Sequence, residues 1–205
     1  MSSLDNYTEP VYLAFSHSKN IIGWLIRLIT RSRVDHTFFI YYDSEKQVWM
    51  TSGAMLNGVR DIPLSEFEKG RKIEFCFMPS NLLFSKEFYR ITEKYVGRWD
   101  YNYLGVVGLG LQYLLNEIHE KKDWLNDKDD VFCSQIGSMV IDSWLKRFLA
   151  PDSQKELWPL TGVNPNDISP QRLLTAVLKA PYLFIQVNLK EIVKLKLIKQ
   201  VNQNK

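Results

Sequence analysis

The sequence has few of the residues and segments that mark specialised classes of protein. Two cysteines among 205 residues cannot form a disulfide framework, and they indicate a reducing compartment. No apolar run reaches the roughly 18 to 20 residues of a membrane-spanning helix. The polar start MSSLDNYTEP lacks the apolar core of a signal peptide. The sequence therefore predicts a cytoplasmic protein, or one of the host cytoplasm if the chain is viral.

Charge of one sign is also in short supply. The formal net charge is only +3, with acids and bases well mixed, so composition gives no reason to expect nucleic acid as a partner. No cluster has the spacing of metal ligands, and no glycine-rich loop precedes a Lys-Ser or Lys-Thr pair. We therefore expect neither a metal nor another cofactor.

The residues that are present suit one globular domain. Hydrophobic residues make up 45% of the chain, enough for a core without covalent cross-links. We expect one domain over residues 1–205, with its core in about 10–190 and a basic, fraying tail over 190–205. Segments typical of strands are PVYLAFS, VDHTFFIYYD, KQVWMTSG, KIEFCFMPS and YLFIQVNL. The second and third of these are joined by a short turn, so an antiparallel hairpin is expected.

Helix signals alternate with these strands. NIIGWLIRLITRSR has Asn20 as its N-cap, and SKEFYRITEKYVG begins with a serine cap, Ser85, and ends in Gly97. SPQRLLTAVLKA has Pro170 at its first position. A further helical region is expected in the segment that follows Gly97. GVRDIPLSEF predicts a short extended segment and a polar turn, and PDSQKELWPLTGVNPNDIS predicts a loop. This order predicts an α+β fold, an antiparallel sheet packed against helices.

The segment FCSQIGSMVIDSWL carries the most chemical information. Apolar residues recur behind Cys133 with the spacing of an amphipathic helix, so Cys133 lies at the helix N-terminus. The helix dipole there favours the thiolate, and we expect a lowered pKa for Cys133 and a raised one for Cys76 in its apolar strand. Gly137 and Ser138 are small enough to let another element approach. A lone cysteine on a helix is, however, usually a small core residue.

Histidine is the natural partner for such a thiol. His36 stands on a strand between Asp35 and Thr37, and an isolated strand histidine is most often a core or edge residue. It is accompanied, in order, by GVRDIPLSEF, YNYLGVVGLG, FCSQIGSMVIDSWL and DISPQRLLTAV. This ordered set resembles the circularly permuted branch of the NlpC-type papain-like cysteine hydrolases, the YiiX and YebB-like proteins and their viral relatives. The resemblance covers roughly residues 10–185.

The resemblance implies a catalytic pair and an orienting group. Cys133 matches the nucleophile and His36 matches the base that deprotonates it. The family often has glutamate on the next strand, but here WMTSGAM offers only Thr51 or Ser52. A hydroxyl orients an imidazole but does not stabilise an imidazolium as a carboxylate does.

Groups that would hold the substrate follow from the same resemblance. The backbone N–H of Cys133 and the hydroxyl of Tyr101 or Tyr103 are candidate oxyanion donors, with Ser134 beside the nucleophile. Both tyrosines could equally be core aromatics.

The resemblance implies a cysteine hydrolase or acyltransferase acting on an amide, thioester or ester of a peptide, a protein or an acyl lipid. The alternative is a catalytically silent binding module on the same papain-like fold. A third possibility, compatible with either, is a peripheral membrane protein that docks through residues 21–33 and the basic tail. For residues 21–33 we favour the simpler interpretation, a packed helix with cationic residues at its C-terminus.

Overall fold

A computed structural model describes residues 9–55, 58–96 and 133–203. Their strands form one six-stranded sheet with the order β4-β3-β2-β1-β5-β6. Every neighbouring pair in it is antiparallel. The strands are β1 (Tyr12–Ser18), β2 (His36–Asp43), β3 (Val48–Met55), β4 (Gly58–Pro63), β5 (Arg71–Pro79) and β6 (Phe184–Gln186).

Seven helices are described along the chain, some between strands and others in succession. They are α1 (Ile21–Thr30), α2 (Leu64–Gly70), α3 (Leu83–Tyr95), α4 (Cys133–Phe148), α5 (Pro151–Leu157), α6 (Pro170–Leu178) and α7 (Leu189–Gln203), with a 3₁₀ turn at Pro165–Asp167. The predicted α+β class is therefore confirmed.

Two predicted helix starts are confirmed by their capping bonds. The Asn20 side chain accepts a hydrogen bond from the Gly23 N–H at 2.9 Å. The Ser169 hydroxyl accepts one from the Arg172 N–H at 3.2 Å, with Pro170 in the first turn of α6. In each case a side-chain oxygen supplies an acceptor that the helix itself lacks.

The predicted serine cap of α3 is wrong. The helix begins at Leu83, where the Asn81 side chain accepts from the Leu83 N–H at 3.0 Å. Ser85 lies inside the helix, buried, and its hydroxyl accepts from the Val11 N–H. The Ser85 hydroxyl therefore makes a tertiary hydrogen bond in place of the helix cap that the sequence predicted.

Three segments expected to be irregular are helical. The polar turn after β4 is α2, which buries Leu64 and Phe67, three residues apart, as adjacent positions on a helix face require. Part of the expected loop after α4 is α5, with Pro151 in its first turn. The expected fraying tail is α7, in which Ile192 and Val193 pack against the core.

The sheet is covered on both faces, because alternate residues of each strand point to opposite sides. We call the two core layers the α4-side cluster and the α2-side cluster. The α4-side cluster contains Phe39 and Tyr41 of β2, together with residues of α3, α4 and α6. The α2-side cluster contains Phe38 and Ile40 of β2, together with residues of α2, and α7 packs against it. Each β2 side chain therefore belongs to one layer or the other, which decides what it can contact.

Candidate active site

Cys133 is the first residue of α4 and is almost fully buried, with 4% of its surface exposed. The helix lies close to β2 here because Gly137 has no side chain. A Cβ on Gly137 would lie 3.1 Å from Thr37 Cγ2 and 3.0 Å from Leu173 Cδ2. The predicted close approach of another element is thus confirmed, and that element is β2.

Backbone donors surround the thiol. The N–H groups of Thr37 and Ser134 both interact with Cys133 as hydrogen-bond donors and favour the thiolate. The Ser134 hydroxyl donates to the Ile168 carbonyl oxygen, which ties the first turn of α4 to the segment before α6. The Ser134 side chain is therefore committed to structure, while its backbone N–H faces the sulfur.

Burial raises the pKa of the Cys133 thiol, and the charge of Asp35 acts in the same direction. The two N–H groups and the charge of Arg71 oppose this shift without reversing it. The expected lowering of the Cys133 pKa is therefore wrong. Desolvation can shift a buried group by several pKa units, whereas a helix terminus contributes only about 0.3 to 1 kcal/mol. For Cys76 the expectation is confirmed, because burial raises its pKa to about 12.

The His36 imidazole lies in the α2-side cluster. Its ring stacks on Phe38 and Phe67, with centroids 5.8 and 6.0 Å away. Only 1% of the residue is exposed, and Nε2 has no hydrogen-bond partner among the described residues. Burial, reinforced by the charge of Arg71, lowers the pKa of His36 well below 6.5, so the ring is neutral at physiological pH.

Cys133 and His36 therefore meet at the backbone of β2 and not through the imidazole. The nitrogen of Thr37, whose N–H interacts with the sulfur, is bonded to the carbonyl carbon of His36. The charge of Arg71, at the end of the sheet where β2 begins, acts on both residues in the direction of a lower pKa. The imidazole was expected beside Cys133, within or near hydrogen-bond reach, but its ring lies on the opposite face of β2, and its Nε2 has no partner among the described residues.

The two candidates for the orienting group differ in their surroundings. Thr51 is paired with Ile40, and its hydroxyl donates to the Ile62 carbonyl oxygen at 3.1 Å. Ser52 is paired with Phe39, a member of the α4-side cluster, and its buried hydroxyl has no partner among the described residues. Neither hydroxyl is bonded to His36 Nε2. Tyr101 and Tyr103 lie outside the described residues.

Sequence reasoning missed an ionic cluster beside this site. Asp35 accepts hydrogen bonds from the Ser18 N–H, at 2.9 and 3.1 Å, and from Arg27 at 2.7 Å and Arg71 at 3.1 Å. The carboxylate is 2% exposed and joins β1, α1 and β5 at the end where β2 begins. Arg71 is 36 residues from Asp35 in the chain, so no local pattern indicated the pairing.

Two further properties of the described part of the chain bear on ligands. It contains no group of three or more His, Cys, Asp or Glu side chains arranged to hold a metal ion. None of its helices combines the length and apolar character needed to span a bilayer.

Comparison with known proteins includes a distant similarity to a solved structure. No family model matches the chain, and no curated protein matches it. Among solved structures, the chain is similar to the crystal structure of the metalloprotein YiiX from Escherichia coli O157:H7 (DUF1105), with 17% sequence identity and a TM-score of 0.49. The similarity covers 88% of this chain and 96% of that one. This degree of similarity establishes neither a family nor an activity.

Proposed function

We propose that this chain is a permuted papain-like cysteine hydrolase or acyltransferase, with Cys133 as nucleophile and His36 as base. The observation that carries the proposal is the position of the Cys133 thiol at the His36–Thr37 peptide, together with a buried imidazole on the opposite face of β2 whose Nε2 has no partner among the described residues. A buried nitrogen left unpaired costs about 1 to 3 kcal/mol, and such groups call for an explanation. The thiol proton would satisfy this nitrogen once the ring reached the Cys133 side of β2.

The imidazole must turn from the α2-side cluster toward the sulfur before it accepts that proton. The turn gives up ring contacts with Phe38 and Phe67, which are worth about 0.5 to 1.5 kcal/mol per aromatic pair. The turn also gives the buried Nε2 a hydrogen bond, and pairing a buried nitrogen that had no partner is worth about 1 to 3 kcal/mol. The two terms are similar in size, but successive side chains of a strand point to opposite faces, so the turn also requires the backbone at His36, the first residue of β2, to rearrange.

The pair starts as a neutral thiol and a neutral imidazole. As the sulfur attacks an acyl carbonyl carbon, the thiol proton moves to His36 Nε2, and an S-acyl enzyme forms. The imidazolium then gives that proton to the departing amine, alcohol or thiol. Water completes hydrolysis, or a second nucleophile accepts the acyl group. In either case His36 takes the proton of the attacking group and returns it to the Cys133 sulfur.

The oxyanion donors would come from the start of α4. The backbone N–H of Cys133 is the first candidate, with the hydroxyl of Tyr101 or Tyr103 as the second. We propose Ser52 ahead of Thr51 as the group that orients His36, because the Thr51 hydroxyl is already bonded to a carbonyl oxygen. The substrate class is an amide, thioester or ester of a peptide, a protein or an acyl lipid.

The direct test is acylation followed by intact mass spectrometry. The wild type, Cys133→Ala, Cys76→Ala and His36→Ala are each treated with a panel of acyl thioesters, activated esters and peptide amides. We expect an acyl adduct on the wild type and on Cys76→Ala, and none on Cys133→Ala. Loss of the base should slow acylation of His36→Ala by about 10² to 10⁴-fold.

The pH dependence adds a second readout. Because the pKa of His36 is lowered, the base stays unprotonated well below pH 6.5, and acylation should continue there. An acyl adduct that forms equally on Cys133→Ala, or an acylation rate that His36→Ala leaves unchanged, would refute the proposal that Cys133 and His36 are a catalytic pair.

A catalytically silent binding module is the second candidate. It is favoured by the same burial that keeps both groups neutral, and by the packing of the His36 ring between Phe38 and Phe67. If no member of the panel acylates Cys133 while the protein remains folded, this candidate replaces the enzyme.

A further inference from the structure

Helix α1 contacts the sheet through two of its described residues, Gly23 and Arg27. A Cβ on Gly23 would lie 2.4 Å from Ser18 Cβ and 2.6 Å from Asp35 Oδ2, so the helix touches the end of β1 there. One turn later, Arg27 donates to Asp35 at 2.7 Å and to the Ser18 carbonyl oxygen at 3.1 Å. These contacts confirm the packed helix that the sequence predicted, and they fix which side faces the protein.

A second side of α1 exposes large apolar side chains. Ile21 is 73% exposed, Trp24 is 52% exposed and Leu28 is 59% exposed. Successive residues of a helix are about 100° apart, so residues spaced by three, four and seven share one side. That side differs from the one that carries Gly23 and Arg27. The helix is therefore anchored through Gly23 and Arg27 while it presents an apolar stripe, Ile21–Trp24–Leu28, to the exterior.

Cationic side chains flank the stripe. Lys19 precedes the helix, Arg31 and Arg33 follow it, and all three are exposed. Two acids lie nearby: Asp35 is buried and paired with two arginines, and Glu74, which interacts with Arg33, is paired with Lys72 and His17. The charge beside the stripe is therefore positive. Tryptophan and aliphatic residues bordered by lysine and arginine are typical of helices that lie in a membrane interface.

We infer that α1 docks this protein on the surface of an anionic phospholipid bilayer. The helix lies in the plane of the interface, its stripe enters the acyl boundary, and Lys19, Arg31 and Arg33 contact anionic headgroups. Because α1 connects β1 to β2, docking holds the His36 end of the sheet toward the bilayer. The inference rests on α1 alone and does not require Cys133 to be reactive.

Vesicle co-sedimentation of the full chain tests the inference. Vesicles of phosphatidylcholine alone are compared with vesicles in which about a third of the lipid is phosphatidylserine. We expect the wild type to bind the anionic vesicles preferentially and to be released by salt, since the attraction is screened. Trp24→Ser should weaken binding by at least about tenfold, because it removes an inserted aromatic group. Arg31→Gln should weaken it by about fivefold, the effect of one surface cation.

A matched control separates the stripe from general surface stickiness. Tyr182, 81% exposed and far from α1 in the sequence, is changed to serine and should leave binding unchanged. Cys133→Ala should also bind as the wild type does, so a failed enzyme proposal would not disturb the result.

Three outcomes would overturn the inference. One is equal binding of the wild type and Trp24→Ser, and another is equal loss of binding in Tyr182→Ser. The third is a concentration-dependent dimer in sedimentation velocity that Trp24→Ser dissolves, because the stripe would then bind a second copy of the chain.

Discussion

The burial of His36 makes a quantitative prediction about stability and pH. The folded protein holds this imidazole neutral, because burial lowers its pKa well below 6.5. The unfolded chain binds a proton on the same ring near pH 6.5. Between the two pKa values the unfolded state binds more protons, so the free energy of unfolding falls as the pH falls through this window.

The magnitude follows from one proton. Each pH unit below the unfolded pKa removes up to about 1.4 kcal/mol while folded His36 stays unprotonated, so the loss between about pH 7.5 and about pH 5 is at most about 2 kcal/mol. Urea unfolding followed by circular dichroism at a series of pH values measures it. His36→Phe keeps an aromatic ring between Phe38 and Phe67 and cannot titrate, so its curve should lack this loss.

His17→Gln is the control for a histidine outside the site. His17 lies 3.2 Å from Glu74 and is partly exposed. Its replacement should leave the loss of stability in place. A wild-type curve as flat as that of His36→Phe would refute the burial argument. It would mean that the folded protein keeps the proton on His36, as it would beside a thiolate.

Three further predictions concern neighbouring residues. Asp35→Asn should lower the free energy of unfolding by about 3 to 5 kcal/mol in a urea titration, because two arginines lose a buried counter-charge. The control Asp142→Asn, in an exposed pair with Lys146, should lower it by at most about 0.5 kcal/mol. Equal effects of the two changes would contradict the role of Asp35. Thr51→Val should lower the free energy of unfolding by about 0.5 to 1.5 kcal/mol without changing the rate of acylation. Ser52→Ala should leave the free energy of unfolding unchanged or raised and should slow acylation. The reverse pattern would make Thr51 the orienting group. Cys76 should stay unlabelled by iodoacetamide in native protein near neutral pH and react only on unfolding, because burial raises its pKa to about 12; rapid native labelling would refute its placement.

The position of Cys133 could be predicted from the sequence, but its ionisation could not. Apolar spacing after the cysteine is a local property of the chain, and it predicted the start of α4 correctly. The pKa depends on what covers the sulfur, and that is decided by β2 and by residues distant in sequence. Desolvation by those elements outweighs the helix terminus, which acts on the same thiol in the opposite direction.

Two helices, α2 and α7, could not be predicted from their own sequence. The segment LSEFEKG is short and mostly polar, which indicated a turn. It is nevertheless helix α2, because its two apolar residues, Leu64 and Phe67, bury their side chains against the sheet. The basic segment after β6 lacks a clear apolar stripe, yet α7 is ordered where Ile192 and Val193 meet the core and Lys196 lies 4.5 Å from the centre of the Tyr42 ring. Both helices depend on a partner surface that the segment itself does not encode.

The sequence by itself determined the α+β class, the order of the five main strand segments, the helix capped by Asn20, the helix that begins at Pro170, and the helix behind Cys133. Each of these rests on local periodicity or on a side chain that caps its own helix. Only the tertiary structure decided which helices cover each face of the sheet, and therefore which helices each β2 side chain contacts. Because successive strand residues alternate, that decision sends Thr37 to the Cys133 helix and the His36 ring to the opposite layer. It also assembled Asp35, Arg27 and Arg71 beside them, since only folding brings the ends of β1, α1 and β5 together.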